Sequence, residues 1–103
     1  MKGFVYSIRD LNSNKIYIGS SCKLRLRDRI SDHLYSWKVG KPINSRLIFD
    51  GGNWESEIID TIDDVGFKKL NLLLLEQAWM DDMEINHNLV NGMRAIGHRN
   101  KYL

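Results

Sequence analysis

One cysteine and one proline stand in a chain of 103 residues. A lone Cys22 cannot close an internal disulfide, which excludes a disulfide-stapled fold and fits a reducing compartment. No Cys/His cluster has zinc spacing, and neither a glycine-rich phosphate loop nor a nucleophile elbow is present. No apolar run approaches the ~20 residues of a membrane span; the longest, Leu72 to Leu75, is far too short, so no membrane partner is expected. The opening Met1-Lys2-Gly3-Phe4 carries no apolar signal segment, so the expected setting is intracellular, cytoplasmic or nuclear. Linkers, repeats and low-complexity stretches are also missing. Residues 1–103 therefore read as one domain, long enough to bury its own core.

What is present is an ordinary globular composition, 43% hydrophobic and 27% charged, with an uneven distribution of charge. Residues 1–46 hold ten Lys/Arg against three Asp, and residues 47–103 hold five Lys/Arg against ten Asp/Glu. A basic half suits a polyanion, nucleic acid being the commonest, although a solvated charged surface looks the same in composition. Nothing in the chain points to a protein partner.

Gly3 to Arg9 alternates β-prone residues and predicts a strand. Asp10 to Asn14 is turn chemistry, and Lys15 to Gly19 returns as a second strand, making a hairpin. A turn centred near Asn12 would set Tyr6 opposite Tyr17, Phe4 opposite Gly19 and Ile8 opposite Lys15. Leu26, Ile30, Leu34 and Trp37 recur at helical spacing, which predicts a first helix over Leu24 to Trp37. A short helix over Asn44 to Asp50 ends at the turn Gly51-Gly52-Asn53, and Trp54 to Asp60 reads as a third strand. A long helix is expected from about Phe67 to Glu84, then an irregular stretch from Asn86 to Asn91 and a basic tail with Arg94, His98, Arg99 and Lys101. The order β-β-α-(α)-β-α indicates an α+β fold, a small, mostly antiparallel three-stranded sheet flanked by helices.

Three groupings could carry chemistry. Tyr6 and Tyr17 share a face of the hairpin, where an aromatic packing pair is the bland alternative. Arg25, Arg29 and His33 lie four apart and stack along one side of the first helix, offering phosphate donors beside a proton-transfer group, or else a solvated basic face. Glu76 falls amid Leu72, Leu75, Trp79 and Met83 on the long helix. A carboxylate in an apolar stripe calls for an arginine partner or a hard cation such as Mg²⁺. Asp81, Asp82 and Glu84 read as a solvated helix face, and His87 and His98 are isolated.

Taken together, these residues resemble the GIY-YIG nuclease family. Tyr17-Ile18-Gly19 stands complete, and Phe4-Val5-Tyr6 keeps the tyrosine with phenylalanine in place of glycine and valine in place of isoleucine. The family's arginine, followed four residues on by histidine, matches Arg29 and His33. Its metal-binding glutamate matches Glu76 in Glu76-Gln77-Ala78-Trp79, and its late asparagine matches Asn91. Gly52 to Glu55 resembles the turn into the family's third strand. The spacing from Gly19 leaves Arg27 as a rival to Arg29, which alone has His33 four residues on.

The resemblance implies a DNA endonuclease with a tyrosine general base, Arg29 on the scissile phosphate, and one Mg²⁺ or Mn²⁺ ion on Glu76. Tyr6 is the preferred base, with Tyr17 orienting water or phosphate, and Lys15 or Arg29 could supply the cation a phenolate needs. His33 would relay a proton or bond the tyrosine, and Asn91 would position substrate or the glutamate. Lys15, Lys23, Arg25, Arg27 and Arg46 are candidates for DNA contact. Phe4 in the glycine position would narrow the space over the hairpin. The alternative is a non-catalytic nucleic-acid-binding module on the same fold.

Overall fold

A computed structural model of the protein describes residues 1–86 and 88–91. The expectations placed on His87, on His98 and on the basic tail lie outside these residues. β1 (Gly3–Asp10) and β2 (Lys15–Ser21) form the hairpin, followed by α1 (Leu26–Lys38), α2 (Arg46–Gly51) and β3 (Trp54–Ile62). A single 3₁₀ turn (Phe67–Lys69) leads into α3 (Leu70–Asn86), and a two-residue β4 (Asn88–Leu89) ends the described elements.

Among the described residues the sheet has four strands in the order β3-β1-β2-β4. The extra strand lies in the stretch expected to be irregular: Asn88 and Leu89 run parallel to Lys15 and Ile16 on the open edge of β2. A dipeptide bears no periodicity, so only the neighbouring strand reveals it. No helix among the described residues is long and apolar enough to cross a membrane.

β1 occupies the centre, and its position explains why nearly all of it is buried rather than every second residue. On one face Phe4, Tyr6 and Ile8 pack against Ile30 of α1 and Ile48 and Phe49 of α2. On the other, Val5, Ile16 and Ile18 pack against Val65 and, on α3, Leu72 and Met80. Helices thus cover both faces, and the single sheet separates two apolar clusters.

The hairpin register differs from expectation by two residues. Tyr6 pairs with Gly19, Ile8 with Tyr17 and Phe4 with Ser21. The cause is a wider loop: Asp10 Oδ1 accepts the backbone N–H of Asn12 at 2.8 Å, and Asn14 takes a left-handed φ of 61° before the chain re-enters the sheet. These bonds hold the Asp10 carboxyl below its ordinary range, the Asn12 N–H first among the causes. A shift of two preserves the face, so Tyr6 and Tyr17 still lie side by side, ring centroids 6.3 Å apart. It also corrects the reading of Phe4, which is buried core against the Tyr6 ring and does not sit over Gly19.

Candidate active site

The motif glycine has a steric reason. A Cβ on Gly19 would stand 2.5 Å from Tyr6 Cζ, so only glycine lets the phenol lie flat across the partner strand. Tyr6 has no exposed surface, and its hydroxyl is the hub of the site. Arg29 Nε donates to Tyr6 Oη at 3.1 Å, and His33 Nε2 lies 2.7 Å from the same oxygen. Arg29 and His33 share a face of α1 one turn apart, which is why both reach one atom. Arg27 points to solvent. The structure therefore brings Arg29, not its rival, to the tyrosines.

His33 is buried, and its Nδ1 lies 2.9 Å from Oγ of Ser45, which has no exposed surface. Ser45 immediately precedes α2, so that short helix is what holds the far side of the imidazole. Burial, followed by the nearby Arg29 charge, lowers the His33 pKa from 6.5 to about 4. The imidazole is neutral at pH 7. Because the unfolded histidine binds a proton more readily, the wild-type fold loses stability as pH falls from 6.5 towards 4, by about 3 kcal/mol at 1.36 kcal/mol per unit. In chemical denaturation across that range, His33→Gln is expected to show a flatter acid limb than wild type, and parallel limbs would contradict the assignment.

Glu76 reaches the site from the opposite layer. It lies one turn from both Leu72 and Met80 on the buried row of α3, and its Oε1 accepts the Ser20 hydroxyl at 2.5 Å. Ser20 alternates with Gly19 and so faces α3, whereas Tyr17 faces α1. The two layers meet at the β2 edge. β4 pairs with that edge only at Lys15 and Ile16, and beyond it the Asn91 side chain takes over, accepting from Ile18 N at 2.9 Å and donating to Ile18 O at 2.6 Å. Asn91 therefore holds the backbone of the Tyr17-Ile18-Gly19 strand, a role only its partner strand could disclose.

Burial raises the pKa of Glu76, opposed by the Ser20 hydrogen bond and then by Arg29. Burial likewise raises Tyr17, with Glu76 the next cause. Tyr6 is raised far more, again by burial first, with Tyr17 next and Arg29 pulling the other way. Lys15 is not the cation of this cluster. It stands at the turn, where its charge acts on Asp10, and Arg29 is the cation beside both phenols. The half-buried Tyr17 is the member of the pair that meets solvent.

The basic candidates divide. Arg25 and Arg27 are exposed, and Lys23 is paired with Asp32 at 3.3 Å. Arg46 is half-buried, and its Nη2 donates to the carbonyl of Trp37 near the end of α1 at 3.0 Å and to that of Lys41 in the loop beyond at 2.9 Å, so it ties that loop to the helix. Ser20 and Ser45 were missed, because a serine carries no pattern until its partner is placed. Asp81, Asp82 and Glu84 are exposed on α3, as expected.

The arrangement sets a guanidinium, two phenols and a neutral imidazole against a desolvated carboxylate, which suits phosphate binding and proton transfer at a phosphodiester. No curated protein and no solved structure matches the chain. The family model for the GIY-YIG catalytic domain matches residues 2–84, nearly its whole length. The chain belongs to the GIY-YIG family, a family of nucleases.

Proposed function

We propose that the protein is a divalent-metal-dependent endonuclease that hydrolyses phosphodiester bonds in DNA. The observation that supports this best is the convergence on Tyr6 Oη of Arg29 from α1, His33 beyond it and Tyr17 beside it, with Glu76 facing them from α3.

Among the described residues no three His, Cys, Asp or Glu gather to enclose a metal. A single carboxylate with no nitrogen or sulfur donor fits a hard cation such as Mg²⁺ or Mn²⁺, which takes oxygen ligands and keeps waters, so Glu76 would be its protein ligand. Such a cation would polarise the phosphoryl group and offset the Glu76 charge, which adds to burial in raising both phenols.

Arg29 binds the scissile phosphate with its remaining guanidinium N–H groups, its Nε staying on Tyr6. Tyr6 relays the proton to His33 and has no surface of its own, so the proton arrives through Tyr17. As the attacking water gives its proton to Tyr17, Tyr17 passes its own to Tyr6, and Tyr6 passes its own to His33 Nε2. This directs the imidazole's other proton, on Nδ1, at Ser45 Oγ. A phosphate on Arg29 neutralises one of the two causes that depress His33, so substrate binding makes the imidazole a better acceptor.

Nicking of supercoiled plasmid with and without Mg²⁺ tests the reading. Metal-dependent cutting supports it, whereas DNA binding without cutting would establish the non-catalytic module instead. Within the relay, Tyr6→Phe and Tyr17→Phe should each lower cleavage about 10² to 10⁴-fold. The double variant should be no slower than the worse single one, because both interrupt the same proton path. Full activity of Tyr17→Phe would mean that Tyr6 takes the proton directly.

A further inference from the structure

Beside Arg29 the surface opens into a cleft of about 450 Å³ lined by Ser20, Ser21, Cys22, Lys23, Arg29 and Lys69. Three cations from three separate segments line it: the chain after β2, α1, and the 3₁₀ turn before α3. Asp32 lies 3.3 Å from Lys23 and 3.9 Å from Arg29 and partly balances those two. Among the described residues no carboxylate pairs with Lys69. The Ser21 hydroxyl accepts the Lys23 backbone N–H at 3.0 Å, which leaves its own proton to donate.

The backbone behind Lys69 is unusual. Lys68 and Lys69 both take left-handed conformations, φ 52° and 61°, which L side chains adopt at an energetic cost. The same loop uses glycine where φ reaches 81°, at Gly66. A turn serving only to start α3 would be more stable with glycine at 69 as well. What glycine cannot supply is an ammonium at the cleft.

We propose that this cleft is a second phosphate subsite, holding the backbone phosphate next to the scissile one on the cut strand, with Lys69 as its principal cation and Ser21 as a neutral donor. The proposal rests on the nuclease reading, which places the scissile phosphate on Arg29 at the mouth of the same cleft. It carries the strand along the end of β2 towards the start of α3, away from the acidic side chains of Asp81, Asp82 and Glu84.

The test is equilibrium binding of a duplex oligonucleotide in chelator, titrated from about 50 to 200 mM salt. Lys69→Gly should reduce the slope of log affinity against log salt by about 0.9 and weaken binding about eightfold near 0.1 M salt. It should also melt higher than wild type, since glycine suits the backbone there. Lys68→Gly relieves the same kind of strain outside the cleft, so its melting point should rise while its slope stays that of wild type. In Mg²⁺, the Lys69→Gly variant should show a raised KM and an unchanged kcat. Wild-type slope and affinity in Lys69→Gly, with wild type itself cutting DNA, would overturn the subsite and leave the nuclease reading standing. Wild type that neither binds nor cuts DNA would overturn both.

Discussion

Glu76→Gln should abolish metal-dependent cleavage, on the order of a thousandfold or more, and leave the fold as stable as wild type or more so. The rate loss follows from what a bound cation contributes: several kcal/mol of charge stabilisation at the phosphoryl oxygens, at 1.36 kcal/mol per tenfold. A neutral amide is a poor ligand for a hard dication, and among the described residues no group of three or more His, Cys, Asp or Glu is gathered to replace it. Stability moves the other way for a separate reason. Burial holds the Glu76 pKa above 4.5, which means that folding disfavours its charged form. Glutamine has the same shape, still accepts the Ser20 hydroxyl and has no charge to desolvate. The group's favourable contribution is present below its unfolded pKa and lost as pH rises through the raised folded value. The melting advantage of the variant should therefore be largest at pH 7 and shrink as pH falls towards 4.5. Nicking assays paired with thermal melts at both pH values check the two halves together. Undiminished cutting by Glu76→Gln would remove the residue from the metal site.

How much of this could be read in the chain differs from residue to residue. The strands and helices show in the spacing of Phe4, Tyr6 and Ile8 and of Leu26, Ile30, Leu34 and Trp37, because burying one face imposes a period. The pairing of Tyr6 with Gly19 does not show, since a hairpin register depends on how many residues the loop absorbs, and Asp10 gathers a loop wider than Asn12 alone suggests. β4 is too short to carry a pattern, and Asn91 makes sense only against Ile18, 73 positions away. Arg29, His33 and Glu76 were legible because each is an ionisable group placed beside an apolar row, which solvation energy makes conspicuous. Ser20, Ser45 and Lys69 were not: a hydroxyl or an ammonium is ordinary in sequence until a partner or a strained backbone singles it out.

Arg29→Ala and Arg27→Ala should separate chemistry from binding more sharply than any other pair in the chain. Arg29 is half-buried, holds the Tyr6 hydroxyl at 3.1 Å and fronts the cleft, whereas Arg27, two residues away, is exposed. Removing a preorganised donor at a developing phosphoryl charge typically slows the step by about 10² to 10³-fold. Arg29→Ala also leaves the Tyr6 oxygen without its N–H donor, so the loss should reach the upper end of that range. Arg29→Lys should recover little, because an ammonium lacks the fork that lets one side chain hold Tyr6 and a phosphate at once. Arg27→Ala should keep kcat, raise KM and reduce the salt slope by about 0.9, as one lost phosphate contact does. A second reading shows whether Arg29 acts where the geometry places it. Its charge is the second cause holding His33 near a pKa of about 4, so NMR titration of the His33 ring should move upward in Arg29→Ala and stay in place in Arg27→Ala. A dead Arg27→Ala beside an active Arg29→Ala, with the His33 titration unmoved, would show that the arginine of this site had been placed one register too far along α1.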